Sequence, residues 1–326
     1  HGDAQAAWAG RKFQLKWLDP IPQTPSRAMA DPLISILMPA YKAADTIARA
    51  VASVLAQTWT EFELIVASDD GEDYRRLLAE THGIADDRIR QVSTGGVGTG
   101  DWNARNTALA AATGELATII DADDAYTPGR LAAMAPLALA DGAALDDSQL
   151  ILAGETIATL LHADERTAEA PVAADPVTIL RDRVPVFPMW RRADFALGWR
   201  QLPHAADVIF ALELLSAAPG MRIAPTPGYL YYKRAGSMTM SASMTERSRA
   251  AYLSIIGAIA NGDYALAPAV ADITLYEIAK NLNQAVPFAH MLAAEPALTH
   301  EALAMRFNER PMTEAERYAF FMGARA

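Results

Sequence analysis

An α/β fold is predicted, with a mainly parallel sheet flanked by helices and a C-terminal helical extension. Short apolar runs alternate with amphipathic stretches over most of the chain. The first of these runs end abruptly at turns or at acidic residues, as buried strands do. From Thr245 onward the pattern is helical throughout. With 326 residues, 52% of them hydrophobic and 21% charged, the chain can bury a sizeable core in one or two domains.

A strand, a helix and a second strand open the sheet. Residues 33–38 form an apolar run closed by Pro39, and residues 62–67 form another, followed by Asp69 and Asp70. Between them the apolar residues recur at helical spacing and form one stripe: Ile47, Val51, Val54 and Leu55. A strand, helix and strand within about 35 residues predict a parallel pair with a right-handed crossover.

The next stretch is less regular. Residues 72–90 carry a weak helical pattern, and residues 88–92 predict a short strand. Residues 94–100 are glycine-rich, but because they follow no strong strand they are weak evidence for phosphate binding. Asp101 is predicted to cap a helix that ends at Gly114.

Three carboxylates follow the apolar run 116–120, at Asp121, Asp123 and Asp124. Acids gathered at one strand end repel one another, so such a cluster commonly holds a hard cation such as Mg²⁺ or Mn²⁺. Solvated turns and helix caps show the same pattern, and the cluster alone leaves both interpretations open. Because ligands bind beyond the carboxyl ends of parallel strands, we expect Asp69 to lie on the same rim.

Alternating elements continue through the second half. A helix is predicted to run from Thr127 to Asp141. The further predicted elements are a strand over 150–161, a short helix over 176–181, an extended segment over 184–190, a helix over 207–217 and a strand over 229–233.

Composition excludes several classes of protein. A net charge of −11 and a pI near 5.0 argue against a nucleic-acid partner, which would need clustered Lys and Arg. Without cysteine there is neither a disulfide nor a thiolate metal site. No secretory segment and no run of 18 apolar residues is found, so a cytoplasmic protein is predicted.

Residues 34–71, 104–116 and 121–131, in this order and spacing, resemble a family 2 glycosyltransferase of the bacterial polysaccharide type. The resemblance runs from about residue 33 to residue 239. It implies the Rossmann-like GT-A fold over residues 31–240, with a nucleotide-binding half over 31–125 and an acceptor half over 126–240. An N-terminal arm over 1–30 and a helical extension over 241–326 would flank it.

The resemblance implies a donor site for a nucleoside diphosphate sugar. In the family, the turn that matches Pro39, Ala40 and Tyr41 contacts the base, and the acid that matches Asp69 accepts its imide hydrogen. Ser68 departs from the usual Asp and leaves these base contacts open. Arg105 would lie over the nucleoside or its phosphates, as suits a guanidinium group.

Asp121 and Asp123 match the family's Asp-x-Asp motif. By resemblance, Asp123 ligates the Mn²⁺ or Mg²⁺ ion bound to the diphosphate, and Asp121 holds the ribose or a metal-bound water. Lys233 and Arg234 occupy the segment that closes over the diphosphate, where many members carry a His. We expect the two cations to replace the charge of that His.

Asp207 matches the family's catalytic base, with Ala206 in place of the usual Glu. A helix N-cap is the structural alternative for Asp207. In-line attack would invert the anomeric centre. Four residues between the donor and base motifs are candidates for the acceptor cleft, although a core position is commoner for Trp: Trp190, Arg191, Trp199 and His204.

The predicted activity is therefore transfer of a sugar, from UDP rather than GDP by family habit, to a hydroxyl of a saccharide or lipid-linked saccharide. Surface polysaccharide or glycolipid synthesis is the expected setting, and the helical extension offers a surface for the inner face of a membrane or for a second subunit. A nucleotide-sugar-binding protein without turnover is one alternative. A nucleotidyltransferase would need a basic, Gly-rich loop after the first strand, and a dehalogenase-like phosphatase would need Thr or Val at Ala125.

Overall fold

The computed structural model describes residues 31–152, 154–159, 170–180, 185–233 and 244–294. The predicted arm over 1–30, Arg234 and the end of the predicted extension from residue 295 lie outside these ranges. The predicted domain boundaries therefore stay predictions.

The first half of the sheet is parallel, as predicted. Its strands are β1 (Ile34–Ala40), β2 (Phe62–Ser68), β3 (Ile89–Ser93) and β4 (Leu116–Ile119). Its helices are α1 (Ile47–Leu55), α2 (Tyr74–His82) and α3 (Asp101–Ala111). β1 pairs in parallel with β2 and β4, and β2 pairs with β3, which gives the order β3-β2-β1-β4. The predicted strand-helix-strand unit is confirmed.

The second half extends the sheet with mixed directions. Its strands are β5 (Ala125–Tyr126), β6 (Ala143–Leu152), β7 (Glu155–Thr159), β8 (Val172–Ala173), β9 (Met189–Arg191) and β10 (Arg222–Lys233). Its helices are α4 (Arg130–Asp141), α5 (Pro176–Leu180), α6 (Ala206–Ala217), α7 (Met244–Asn261) and α8 (Pro268–Ala294). β9 runs antiparallel to β4 and β6, and β10 pairs in parallel with β6 and antiparallel with β5. The α/β class is thereby confirmed.

Two strand predictions have the wrong bounds. Residues 150–161 are not one strand, because β6 begins at Ala143 and turns back at Gly154, whose φ of 88° suits glycine, into the antiparallel β7. β10 begins at Arg222 and not at Tyr229; its pairing with β6 is shifted on either side of Pro227. Prolines weaken a strand pattern, and such irregular pairing is where a sheet accommodates them.

The carboxyl ends of the central strands form one rim. Ala40 at the end of β1 is opposite Ser68 at the end of β2, and the Ala40 carbonyl oxygen accepts a hydrogen bond from Asp69 N at 2.8 Å. On the other side of β1, Ile120 N donates to the Leu37 carbonyl oxygen at 3.0 Å. The segments that follow β2 and β4 therefore leave the sheet side by side, as predicted.

A buried carboxylate links the strands at their amino-terminal ends, opposite the rim. Glu63 of β2 accepts hydrogen bonds from Ser35 Oγ at 2.7 Å, from Thr113 N at 2.6 Å and Thr113 Oγ1 at 2.7 Å, and from Arg90. Burial alone would raise the pKa of Glu63, but these hydrogen bonds lower it to about 2. Gly114 N donates to Ser35 Oγ at 2.8 Å and so extends the network towards β4.

The helices α7 and α8 begin the extension that the sequence predicts as helical. Glu213 of α6, which is fully buried, pairs with Arg200 and accepts a hydrogen bond from Ala265 N at 3.0 Å. This bond ties the α7–α8 connection to α6. Over the ranges that the structure describes, none of the helices has the length and apolar character needed to cross a membrane.

Candidate active site

Asp69 holds the glycine-rich loop over residues 94–100 against the rim. Its Oδ1 accepts hydrogen bonds from Thr94 Oγ1 at 2.7 Å, Thr99 N at 3.0 Å and Thr99 Oγ1 at 2.5 Å, and its Oδ2 accepts one from Gly100 N at 3.1 Å. Burial opposes ionisation, but the hydrogen bonds lower the pKa of Asp69. The carboxylate predicted to read the base is thus engaged with the loop, and it carries a full negative charge.

Tyr41 directly follows β1, at the rim. Its side chain is 47% exposed. A Cβ added at Gly98 would lie 3.6 Å from its Oη, so the glycine-rich loop approaches the ring closely. The turn after it is shaped by Asp70, which accepts hydrogen bonds from Lys42 N at 2.5 Å and Tyr74 Oη at 2.8 Å. An exposed aromatic ring in this position can stack on a base.

Arg105 of α3 meets Asp121 at the rim. Its Nη2 donates to Asp121 Oδ1 at 3.1 Å and Oδ2 at 3.3 Å, and its Nη1 donates to Asp101 Oδ2 at 3.0 Å. Arg105 is 5% exposed, and its Nε finds no hydrogen-bond partner among the described residues. The guanidinium group is thus held by one carboxylate on each side and has further hydrogen-bonding capacity.

Burial raises the pKa of Asp121 to about 6, although Arg105 acts in the opposite direction. The negative charge of Asp123 adds to the increase. Carboxylates that resist ionisation because other acids are near gain strongly from a cation. The electrostatics at this point of the rim therefore favour the binding of positive charge.

Asp124 has a structural position that the sequence did not distinguish from its neighbours. It is fully buried, and it accepts hydrogen bonds from Tyr229 Oη at 2.7 Å and Tyr232 N at 2.8 Å. Tyr229 Oη in turn accepts one from Asp121 N at 3.0 Å. Burial raises the pKa of Asp124 well above its usual range. Asp124 therefore joins the acidic segment to β10.

The carboxylates at the rim suit Mg²⁺ or Mn²⁺ when a phosphate of the bound nucleotide supplies further ligands. Within the described ranges, no group of three or more acidic or His side chains is placed to hold an ion on its own. Asp124 is engaged with the two tyrosines, and Asp121 is shared with Arg105. Asp121 and Asp123, the two acids of the Asp-x-Asp pattern, are the candidate carboxylate ligands. Mg²⁺ is commonly bound through one or two carboxylates plus substrate phosphates.

Asp207 lies in the first turn of α6. The N-cap of this helix is Ala205, whose φ of 63° is left-handed, so the N-cap alternative for Asp207 is wrong. The negative charge of Asp207 acts on Arg105 and on His204, which places it near both side chains.

His204 lies beside Asp207 and contacts the C-terminal helices. Burial lowers its pKa, the charge of Asp207 opposes this shift, and the charge of Lys233 reinforces it. The His204 ring lies 6.4 Å from the Tyr252 ring of α7, edge to face. Lys233 ends β10 with its Nζ 4.9 Å from the centre of the Tyr231 ring. The structure therefore brings His204, Asp207 and Lys233 into one neighbourhood.

Trp190 and Trp199 belong to the core and not to an exposed cleft. Trp190 is 1% exposed and Trp199 is 3% exposed; their rings pack on Phe210 with centroids 5.0 and 4.1 Å away. The backbone of Trp199 exchanges two hydrogen bonds with Asn106, at 2.9 and 2.8 Å. Burial thus corrects the prediction that these indoles line the acceptor site, although Trp199 ties its loop to α3 next to Arg105.

Arg191 does not lie at the rim, where the predicted acceptor cleft would be. It is opposite Leu116, the first residue of β4, and its Nε donates to Asp194 Oδ2 at 2.5 Å. Because Asp121 lies two residues beyond the end of β4, Arg191 is at the other end of the strand. It is therefore not placed to contact an acceptor at the rim.

Residues 35–176 match the family model described as Glycosyl transferase family 2. UDP-Glc:alpha-D-GlcNAc-diphosphoundecaprenol beta-1,3-glucosyltransferase WfgD of Escherichia coli is 39% identical over 103 residues, which cover 32% of this chain and 40% of that protein. Succinoglycan biosynthesis protein ExoO of Rhizobium meliloti is 28% identical over 223 residues, 64% of this chain and 63% of that protein. The chain thus spans less than two thirds of either relative's length.

Similar folds are found among solved structures. S. aureus TarS 1-349 in complex with UDP-GlcNAc aligns with a TM-score of 0.58 and 19% identity, over 76% of this chain and 72% of that chain. The mannosyltransferase PcManGT from Pyrobaculum calidifontis, in complex with GDP-Man and Mn²⁺, aligns with a TM-score of 0.50 and 18% identity, over 91% of this chain and 85% of that chain. Residues 35–176 thus match family 2 glycosyltransferases, and the fold of the chain is the GT-A fold of these neighbours.

Proposed function

We propose that this chain is an inverting, metal-dependent glycosyltransferase that moves a sugar from a nucleoside diphosphate to a hydroxyl acceptor. The observation that carries the proposal is the convergence of Asp121, Asp123 and the charge of Asp207 around Arg105, in a chain whose residues 35–176 match the family 2 model. A leaving diphosphate needs cations, and an attacking hydroxyl needs a base. The residues around Arg105 offer groups suited to both chemical needs.

The donor is bound by residues at the carboxyl ends of β1, β2, β4 and β10 and by Arg105 of α3. Tyr41, exposed after β1, stacks on the base, and the loop held by Asp69 covers it. Exchange of a loop hydrogen bond at Asp69 for the imide hydrogen of uracil gives base selectivity. Arg105 orients Asp121 towards the ribose, and Lys233 offers positive charge to the diphosphate.

Asp123, with Asp121 beside it, would hold Mg²⁺ or Mn²⁺. A bound divalent ion acts as a Lewis acid that neutralises the negative charge developing on the leaving diphosphate. Asp124 contributes indirectly, because its bonds to Tyr229 and Tyr232 fix the segment from which the other two acids extend. The ion therefore needs few protein ligands, since the phosphates supply the others.

Asp207 acts as the general base. The acceptor oxygen forms a bond to the anomeric carbon while the bond from that carbon to the diphosphate oxygen breaks. The electron pair of the broken bond leaves with the diphosphate, and the hydroxyl proton passes to Asp207. A single displacement of this kind inverts the anomeric configuration. A well-placed general base contributes roughly 10²–10⁴-fold to the rate.

The names of the relatives favour a UDP-sugar donor and a lipid-linked acceptor. The Escherichia coli relative is named as acting on UDP-Glc and a diphosphoundecaprenol-linked sugar, and the Rhizobium meliloti relative is named for succinoglycan biosynthesis. We extend this chemistry to the present chain as a proposal. An enzyme that uses a lipid-linked acceptor would work from the cytoplasm at the inner face of a membrane.

Calorimetric titration tests the donor site directly. UDP and GDP are titrated separately into the wild-type chain, once with Mn²⁺ and once with a chelator. We expect UDP to bind with Mn²⁺ and to lose this metal-dependent affinity in Asp123→Ala, while the urea midpoint of that variant stays unchanged. Failure of both nucleotides to bind under either condition would refute the proposed function.

Turnover separates an enzyme from a binding protein. Release of UDP from UDP-glucose or UDP-N-acetylglucosamine, with water or a simple glycoside as acceptor, is followed in wild type and in Asp207→Asn. We expect the variant to bind UDP as tightly as wild type. Its rate of cleaving the sugar nucleotide to UDP should be far lower. Equal rates in the two proteins would remove Asp207 from the mechanism.

A further inference from the structure

Three polar side chains of α1 and its C-terminal turn form a row along one face. Arg49, Ser53 and Gln57 are spaced four residues apart, which places them above one another on a helix. The apolar residues Ile47 and Val51 point into the core instead and are fully buried. On sequence alone such a polar row is taken for a solvated helix surface.

Each member of the row binds the backbone of the segment that follows β4. Arg49 Nη2 donates to the carbonyl oxygen of Asp123. Ser53 Oγ accepts a hydrogen bond from Tyr126 N at 3.0 Å. Gln57 donates from Nε2 to the Thr127 carbonyl oxygen at 2.7 Å and accepts through Oε1 from Leu131 N at 3.1 Å. The row therefore follows the chain from the acidic rim to the start of α4.

The contacts of Ser53 and Gln57 support secondary structure, since their partners belong to β5 and the beginning of α4. Arg49 is different because its partner is the backbone of a rim carboxylate. A hydrogen bond to the Asp123 carbonyl fixes the plane of the peptide between Asp123 and Asp124. Asp124 N, in the same peptide, donates to the Asp121 carbonyl oxygen at 3.1 Å.

The Arg49 guanidinium is itself held in place although it is exposed. Its Cζ lies 4.0 Å from the centre of the Tyr232 ring, a cation–π contact. Tyr232 N donates to Asp124, so the ring beneath the guanidinium is anchored to the same acidic segment. Arg49 thus joins α1, the Asp123 peptide and the end of β10, with a planar group that Lys cannot replace.

From this geometry we propose that Arg49 is a positioning residue that orients Asp123 for the metal-bound diphosphate. The inference rests on the proposed function, since it assigns a part in that site. Arg49 acts through the Asp123 backbone and not as a ligand of the donor. Partners that orient a ligating residue typically change metal affinity or activity by about 10–100-fold when they are removed.

The test uses Mn²⁺ affinity, read without turnover. Free Mn²⁺ is counted by its electron paramagnetic resonance signal in the presence of saturating UDP. We expect the apparent Kd for Mn²⁺ to rise about 10–100-fold in Arg49→Met. In Arg49→Lys it should lie between the values of Arg49→Met and wild type. UDP binding in chelator should be the same in Arg49→Met and wild type.

Two controls make the result specific. Arg75→Met removes an exposed arginine of α2 and should leave Mn²⁺ affinity and the urea midpoint unchanged. Ser53→Ala removes a contact of the same row that serves β5, and should cost about 1 kcal/mol of stability while Mn²⁺ affinity stays at the wild-type value. A loss of Mn²⁺ affinity in Ser53→Ala as large as in Arg49→Met would make the effect a general one of α1 and overturn the proposal.

Failure of this inference can be told from failure of the proposed function. A wild-type chain that binds neither UDP nor Mn²⁺ overturns both. Wild-type binding together with unchanged Mn²⁺ affinity in Arg49→Met overturns the positioning role alone. Equal weakening of UDP binding with Mn²⁺ and with chelator would identify Arg49 as a direct phosphate contact and likewise overturn it.

Discussion

The carboxylate of Glu63 makes the stability of this fold depend on pH in a calculable way. Its pKa is about 2 in the folded chain, against 4.5 for an unperturbed glutamate. A group whose pKa is lowered by folding stabilises the folded state above the unfolded pKa, and this stabilisation is lost as the pH falls towards the folded pKa. The window for Glu63 therefore extends from about pH 4.5 down to about pH 2.

The size of the effect follows from the shift. A difference of about 2.5 pKa units corresponds to about 3 kcal/mol at neutral pH, of which about 2 kcal/mol is lost by pH 3. Glu63 itself is only 7% exposed, so salt screens its charge weakly. Other carboxylates, including Asp69, titrate over the same range and must be separated from it.

Comparison with Glu63→Gln isolates this group. Urea unfolding is followed for both proteins at pH 6 and at pH 3, and the difference between their free energies of unfolding is taken at each pH. We expect this difference to shrink by about 2 kcal/mol between pH 6 and pH 3, since every other carboxylate titrates in both proteins. A difference that stays constant would refute the reasoning that the hydrogen bonds of Glu63 favour its charged form.

Three further predictions concern other parts of the chain. Asp207→Asn should lower kcat by roughly 10²–10⁴-fold with UDP affinity unchanged, measured by UDP release and calorimetry; a kcat near that of wild type would contradict its part as base. Gly114→Ala places a Cβ 2.6 Å from the Leu33 carbonyl oxygen and should cost about 1–3 kcal/mol in urea unfolding, where an unchanged midpoint would count against the close packing. Asp146→Asn leaves the buried charge of Arg130 without its carboxylate partner and should cost about 3–5 kcal/mol by the same assay, whereas a loss below 1 kcal/mol would show that water reaches the pair.

The first half of the fold could be predicted because its signals are local. β1 and β2 are buried on both faces and appear as continuous apolar runs, and α1 has a clear apolar stripe. Parallel pairing then follows from the alternation of strand and helix, and the position of the rim follows from parallel pairing. No contact had to be known in advance to place Asp69 and Asp121 on one edge of the sheet.

The second half depends on contacts between distant residues, which periodicity does not report. Trp190 and Arg191 stand between two functional motifs in the sequence, yet β9 runs antiparallel to β4 and carries them away from the rim. Proximity in sequence was thus a poor guide to proximity in the site. His204 lies near Asp207 because only Ala205 and Ala206 separate them in the sequence, and its predicted part in the acceptor cleft stays a prediction.

Asp121, Asp123 and Asp124 show why a motif alone does not assign roles. The three residues are all aspartates, but their surroundings differ. Asp121 contacts Arg105, and Asp124 contacts two tyrosines of β10. The backbone carbonyl of Asp123 is held from α1 by Arg49. Since burial opposes charge on Asp124 and Arg105 supports charge on Asp121, the segment can gather three acids without losing its fold. The chemistry proposed for the rim depends on these different contacts of the three aspartates. A cation attracted equally to three mobile carboxylates would have no fixed position relative to the diphosphate.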